Sequence, residues 1–273
     1  MKVFRENYNI DWRTRQLRHQ FADVSINTDE SYYRELKQVL KIKRVKDFPF
    51  VRVGKNFDGG YIMVDNFAGK VAYSFGISND VSWDAFMVNH GYDIFMYDPT
   101  IEGLPVQHEK FHFFREGIAG KTDLENSMDT LENFIKRNGH ENQDNMILKM
   151  DVEGAEWDFL ENVSLEVLNK FDQMVFEFHN ITDEKSISEM GRTVKLIDKI
   201  NSTHTLVHLH GNNCGHFIEI DRLGVFPVSL ELTYLKTANY NFVEDENIFL
   251  PIDLDQPNDS SLKDIELGYW NKI

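Results

Sequence analysis

From residue 71 onward, short apolar runs closing on Gly or Asp alternate with helix-length stretches, and this alternation restricts the fold more than any other feature of the chain. Apolar runs at 71–75, 93–97, 111–114, 146–150, 173–179 and 204–210 read as strands. Helical stretches near 80–90, 123–138, 155–169 and 185–201 separate them. Parallel strands need crossover helices of this length, so the order predicts a doubly wound α/β sheet. VSLELTYLK at 228–236 follows less regularly. Ahead of the alternation, residues 1–45 are polar and charged, and Tyr33, Leu36, Val39, Leu40 and Ile42 are spaced close to the helical period. A helical extension over 1–45 is therefore expected before a single domain over 46–273. The tail from 244, EDENIFLPIDLDQPNDSS, is acidic and turn-rich and is expected to cover the surface irregularly.

The chain has 273 residues, of which 41% are hydrophobic, enough for one large core. A formal charge of −16 leaves no Lys and Arg surplus to neutralise phosphates, which excludes sequence-independent binding to nucleic acid or anionic membrane and points to small-molecule partners. Cys214 is the only cysteine, so there is no intrachain disulfide and a reducing compartment is expected. The first twenty residues are charged throughout and no run reaches the ~20 apolar residues of a membrane span. A cytoplasmic protein is the simplest expectation, with the N-terminal arm either mediating a homo-oligomer or folding over a cleft.

Ligands of open α/β sheets bind at the carboxyl ends of the strands, where strand order reverses. Gly76, in SFGIS, occupies the first strand-to-helix turn, with Ser74 just before it and Ser78 and Asn79 completing the turn. The second and third glycines of a dinucleotide fingerprint are missing, which disfavours NAD. Asp98 ends the second strand, where a carboxylate accepts hydrogen bonds from ribose hydroxyls; Asp98-Pro99 is equally a turn starter. In REGIAG, Gly117 and Ile118 are placed either to line an adenine or to form a plain loop. The Gly59-Gly60 pair suggests a tight hairpin turn with no direct cofactor role, the alternative being that Tyr61 closes over a cofactor.

A second group of residues carries chemistry. KMDVEGAEW closes a strand on Asp151, and an extended chain would put Lys149, Asp151 and Glu153 on one side. The same alternation pairs Glu177 with His179 and His208 with His210. Converging carboxylates and imidazoles suit either an oxygen-rich divalent cation, Mg²⁺ or Mn²⁺, or a general base beside a substrate hydroxyl. Asn212 and Asn213 follow the sixth strand as a polar wall, Cys214 has no partner spacing that suggests a nucleophile, and Trp83, Trp157 and Phe178 read as core.

The Gly76 turn, the acidic second-strand end at Asp98 and above all KMDVEGAEW resemble the FkbM-type S-adenosylmethionine-dependent methyltransferases, whose hallmark is a Lys-x-Asp-Val-Glu-Gly-x-Glu run. The resemblance covers roughly residues 50–215. It implies the seven-stranded, Rossmann-like methyltransferase version of the doubly wound sheet, S-adenosylmethionine as cofactor with Gly76 beside its methionine part and Asp98 on its ribose, and Asp151 at the reaction edge. The activity it implies is O-methylation of a sugar hydroxyl, in a nucleotide sugar or a polysaccharide precursor such as capsule. The hydroxyl proton would leave to His179, His210 or Glu177, or be made more acidic by a cation on Asp151, Glu177 and His179. Three other readings compete: a nicotinamide-dependent oxidoreductase, a metal-dependent hydrolase built on Asp151, Glu177, His179 and His210, and a non-catalytic scaffold.

Overall fold

The computed structural model describes residues 29–183 and 186–272. Its centre is a seven-stranded sheet: β1 (Val71–Phe75), β2 (Asp93–Tyr97), β3 (Phe111–Phe114), β4 (Met146–Met150), β5 (Phe171–Phe178), β6 (His204–Gly211) and β7 (Leu230–Lys236). The spatial order is β6-β7-β5-β4-β1-β2-β3. All neighbours are parallel except β7, which runs antiparallel between β5 and β6. Strand order reverses between β1 and β4, so the crevice for a ligand is expected above that pair. The doubly wound, seven-stranded α/β sheet expected from the sequence is the sheet observed.

Alternation along each strand sends side chains to two packed layers. Tyr73, Phe75, Tyr97, Leu148, Met150 and Phe176 face α3 (Leu131–Arg137) and α5 (Ile187–Asn201) within the larger core cluster. Ala72, Ile94, Met96, Ile147 and Val175 join Trp83 and Met87 of α2 (Ser82–Asn89) in the second. The antiparallel pair Phe50–Val53 and Tyr61–Val64 adds Val53, Tyr61 and Met63 to that layer.

Several elements differ from the sequence expectation. The helix expected near 155–169 is two: α4 (Glu156–Asn162) stops at Val163, and Ser164 caps a separate turn, Leu165–Leu168. The stretch 123–138 breaks at Ser127, which takes φ 55°, and resumes after the Thr130 N-cap. The Gly59-Gly60 turn is not a two-residue hairpin; residues 54–60 form a loop in which a Cβ on Gly60 would sit 2.1 Å from the Lys55 carbonyl oxygen. Residues 1–28 of the expected N-terminal extension lie outside the described residues, but α1 (Glu30–Val39) buries Tyr32, Tyr33 and Leu36 in the larger core and packs on α5.

The tail is the largest departure. Instead of lying irregularly on the surface, it pairs Phe249–Leu250 with Gly268–Tyr269 and buries Leu250, Ile265, Leu267 and Trp270 in the main core. Trp270 Nε1 donates to the Leu40 carbonyl at 2.8 Å, and the Asn271 side chain clasps the Ile42 backbone, accepting from its N–H and donating to its carbonyl. Spaced apolar residues among turn formers carried no period, so the burial was invisible to a pattern search.

Candidate functional site

A cavity of about 360 Å³ opens above the carboxyl ends of β1, β2 and β4. That is within the roughly 300–1,000 Å³ of small-molecule sites. One end is walled by Gly76–Asp80, Tyr97–Thr100, Gly117, Ile118 and Met128, with Lys55 ion-paired to Asp80 at 3.1 Å; the other by Tyr61 and Asp151–Glu153.

Gly76 has φ +77°, and a Cβ there would lie 1.6 Å from the Asp151 carbonyl oxygen. The glycine is therefore required by the approach of two chain segments, the end of β1 and the end of β4. Lys149 Nζ donates to the Gly76 carbonyl at 2.6 Å and ties the same junction. The next residues form a nest of amides: Ile77 N–H and Ser78 N–H donate to Asp98 Oδ2 (2.9 and 2.8 Å), while Thr100 N–H and Oγ donate to Oδ1 (2.8 and 2.5 Å). Burial opposes ionisation of Asp98, but these four bonds outweigh it and hold the carboxyl below its ordinary range. Asp98 thus sits where the sequence placed it and at the same time clamps the Gly76–Ser78 turn. Ser74, expected near a cofactor, lies elsewhere: it is fully buried on the α2 side of the sheet beside the Asp84 carboxyl. Strand alternation explains the displacement, because Phe75 and Ser74 must face opposite layers.

At the other half, Tyr61 is buried and its hydroxyl donates to Asp151 Oδ2 at 3.0 Å. Asp151, Glu177 and His179 each bring one ligand atom into a group whose members all lie within 4.8 Å of one another. His179 Nε2 stands 3.5 Å from Glu177 Oε1, 3.9 Å from Asp151 Oδ1 and 3.6 Å from Glu153 Oε2. β4 ends at Met150, so Glu153 is not on an extended chain; it takes φ 54° and reaches the group from the turn. Burial and then the charges of Asp151 and Glu231 push the Glu177 carboxyl well above its usual range. For His179 burial acts downward, but the Glu156 hydrogen bond and the Glu177, Glu156 and Asp151 charges raise the ring to about 9. Two carboxylates and an imidazole so placed fit a divalent cation, whose charge would release both groups from their protons.

His210 belongs to a neighbouring polar row. It is opposite Glu231, which is opposite Glu177, across β6, β7 and β5. Its Nδ1 is 3.0 Å from Glu231 Oε2 and its Nε2 2.9 Å from Asp264 Oδ1. With both nitrogens engaged and the ring 2% exposed, His210 is a fixed link between sheet and tail and is separated from the strand that ends at Asp151 by two others, β7 and β5. His208 pairs with Asp255 of the tail in the same way. Asn212 Nδ2 donates to Glu177 Oε1 at 2.7 Å, placing that loop beside the group. Cys214 is exposed, and desolvation by its loop together with the charges of Asp58, Asp259, Glu177 and Glu231 raises its thiol above the ordinary range, which works against thiolate formation. Sequence reasoning missed Glu156, fully buried at the start of α4, which accepts from the amides of Gly154 and His179. Its signal was present as the last acid of the KMDVEGAE run.

No protein-family profile matches the chain. Over 119 residues it is 32% identical to a human protein described as "Probable methyltransferase-like protein 24", covering 39% of this chain and 32% of that protein. The rat counterpart is 31% identical over 119 residues. The match spans about a third of the length of these curated relatives. Among solved structures, the chain aligns with a "Putative hemolysin" from Streptococcus thermophilus at 10% identity and TM-score 0.37, covering 74% of this chain and 75% of that one. A "putative S-adenosylmethionine dependent methyltransferase" from Listeria monocytogenes aligns at 9% identity and TM-score 0.36, covering 64% and 94%. At these scores the alignments carry no weight, and the fold rests on the strand order above. No helix among the described residues is long and apolar enough to cross a membrane.

Proposed function

We propose that the chain is an S-adenosylmethionine-dependent O-methyltransferase of the FkbM type, acting on a sugar hydroxyl with a divalent cation, Mg²⁺ or Mn²⁺, at Asp151, Glu177 and His179. The observation that carries this reading is one cavity with two unlike ends: a glycine turn whose amides are clamped by Asp98, and a cluster of proton-binding groups beside Asp151. Likeness to methyltransferase-like relatives supports the transfer chemistry. The sugar acceptor and its setting, in a nucleotide sugar or a polysaccharide precursor, rest on the motif resemblance.

When bound, S-adenosylmethionine supplies a methyl group on a positive sulfur. The chain's own work is to align an acceptor oxygen with that methyl and to take its proton. The Gly76–Asp80 turn and Gly117–Ile118 would cradle the nucleoside end, with Asp98 keeping the turn in shape. Tyr61 fixes the rotamer of Asp151 through its hydroxyl, leaving Asp151 Oδ1 turned toward His179. In the cation-free protein Asp151 is the acceptor for a hydroxyl proton, because the His179 ring is raised to about 9 and the Glu177 carboxyl is pushed well above its usual range. A cation on the three groups would make the hydroxyl more acidic.

Calorimetric titration with S-adenosylhomocysteine and with NAD, each with and without Mn²⁺ after chelation, tests the reading. Heat from S-adenosylhomocysteine and none from NAD is expected. Heat from NAD would move the chain to the oxidoreductases, and heat from Mn²⁺ alone to the metal-dependent hydrolases.

A further inference from the structure

His179 is surrounded unequally. Three carboxylates, Asp151, Glu153 and Glu177, face Nε2 at 3.5–3.9 Å, and one, Glu156, faces Nδ1 at 3.2 Å. A neutral ring has one proton to place, and three facing acids would draw it to Nε2, where it would block a cation or an incoming hydroxyl proton. Glu156 opposes this from a position of advantage. It is closer, it is 0% exposed, and it cannot swing away: its Oε1 also accepts the His179 amide at 2.7 Å and its Oε2 the Gly154 amide at 2.8 Å.

The backbone around it is shaped to the same end. Glu153 at φ 54° and Gly154 at φ +106° turn the chain so that the Gly154 N–H points at Glu156. A non-glycine residue in that conformation costs on the order of 1 kcal/mol or more, a strain tolerated where the surroundings hold it for use. Trp157, the next residue of the run, donates its Nε1 to the His179 carbonyl at 2.9 Å. The His179 backbone is thus gripped from both sides by consecutive residues at the start of α4.

We propose that Glu156 is the positioning residue of this site, holding the His179 ring so that, when a cation sits between Asp151 and Glu177, the ring keeps its proton on Nδ1 and presents the Nε2 lone pair to that cation. This rests on the cation reading of the Asp151–Glu177–His179 group for its purpose, but not for its geometry. Each acid of KMDVEGAE then has its own place, with Asp151 at the cavity, Glu153 at the rim with 88% of its side chain exposed, and Glu156 behind the ring. Carboxylates behind ligating histidines act in this way elsewhere, and their loss costs about 10–100-fold in metal affinity.

The test is ¹⁵N NMR of the histidine rings in the full chain, with His179 assigned by the signals lost in H179N, alongside Mn²⁺ calorimetry of wild type and E156Q. In the neutral or Mg²⁺-loaded ring, Nδ1 is expected to be protonated. E156Q should lose the single tautomer and weaken Mn²⁺ about 10–100-fold, with S-adenosylhomocysteine affinity unchanged within about twofold, since none of the partners of Glu156 walls the nucleoside half. A neutral or Mg²⁺-loaded wild-type ring with its single proton on Nε2 overturns the proposal, and so does an E156Q protein with unaltered tautomer and Mn²⁺ affinity. Should E156Q fail to fold, the wild-type ring decides alone. If wild type shows the Nδ1 proton and E156Q loses it while neither protein binds Mn²⁺, the positioning role stands and the cation reading falls.

Discussion

Gly76→Ala measures how closely the ends of β1 and β4 approach, and Gly139→Ala supplies its control. Both glycines are left-handed, at φ +77° and +75°, but a Cβ at 76 meets the Asp151 carbonyl oxygen at 1.6 Å, whereas one at 139 meets nothing within 4 Å. The backbone penalty for an L-residue, about 1–2 kcal/mol, and the gain from a stiffer unfolded chain, about 0.4–1 kcal/mol, are common to both. The overlap at 76 is with backbone that Lys149 and the sheet hold in place, so it adds roughly 1–3 kcal/mol or more. Urea unfolding should therefore give about 1 kcal/mol for Gly139→Ala and roughly 2–5 kcal/mol for Gly76→Ala, with similar m-values. Because the displaced atom belongs to Asp151, Gly76→Ala should also weaken Mn²⁺ as well as S-adenosylhomocysteine. Equal costs within about 0.5 kcal/mol would refute the close-approach argument, and weakened cofactor with undisturbed Mn²⁺ would return Gly76 to a purely cofactor-facing role.

His179 gives a pH signature of opposite sign in two measurements. Its raised value stabilises the cation-free fold fully below the unfolded imidazole value of about 6.5 and loses that contribution as pH rises through about 9, so cation-free Tm should fall over this window while Mn²⁺ affinity climbs. A flat Mn²⁺ profile from pH 6 to 9 would contradict it. Asp84 is the reverse case: burial raises its carboxyl to about 6 against the opposing pull of Lys149 and Ser74. Ionising it costs about 2–3 kcal/mol at pH 8 and less at pH 5, so Asp84→Asn should be more stabilising in urea at pH 8 than at pH 5; equal effects at both would sink the assignment. Trp270→Ala should cost about 3–5 kcal/mol in urea, a loss that a loosely draped tail would not produce.

The parts of the fold legible in the sequence were those with a period or a hard stop. Five-residue apolar runs ending on Gly76, Asp98 and Asp151 gave the parallel strands and, with them, the edge where the cavity lies. The convergence of Asp151, Glu177 and His179 was legible too, because alternation fixes which side chains meet once two strands are neighbours. Ser74 and His210 were misjudged for one reason. Position in the chain says how near a residue is to a strand end, but not which layer its side chain enters or which distant carboxylate meets it there. Asp264 lies 54 residues from His210, and no local pattern announces that pair. Glu156 went unread because helical starts commonly carry acids, and only the fold shows that this one reaches back to an imidazole.

The clasp between Trp270 and Leu40 has a consequence for how the chain is made. Its partners are 230 residues apart, and Asn271 and Ile42 are 229 apart. A contact of that span closes only after Trp270 and Asn271 have emerged from the ribosome, and closing so long a loop is entropically late even for a free chain. The strands that build the Gly76 end of the cavity, β1 and β2, emerge early, while Asp255 and Asp264, which lock His208 and His210, follow more than 150 residues later. The Gly76 end of the cavity therefore precedes the wall beside Glu177, which is finished only after Asp264 has emerged, so a translation product stopped before Asp255 would have the first stretch of chain without the second.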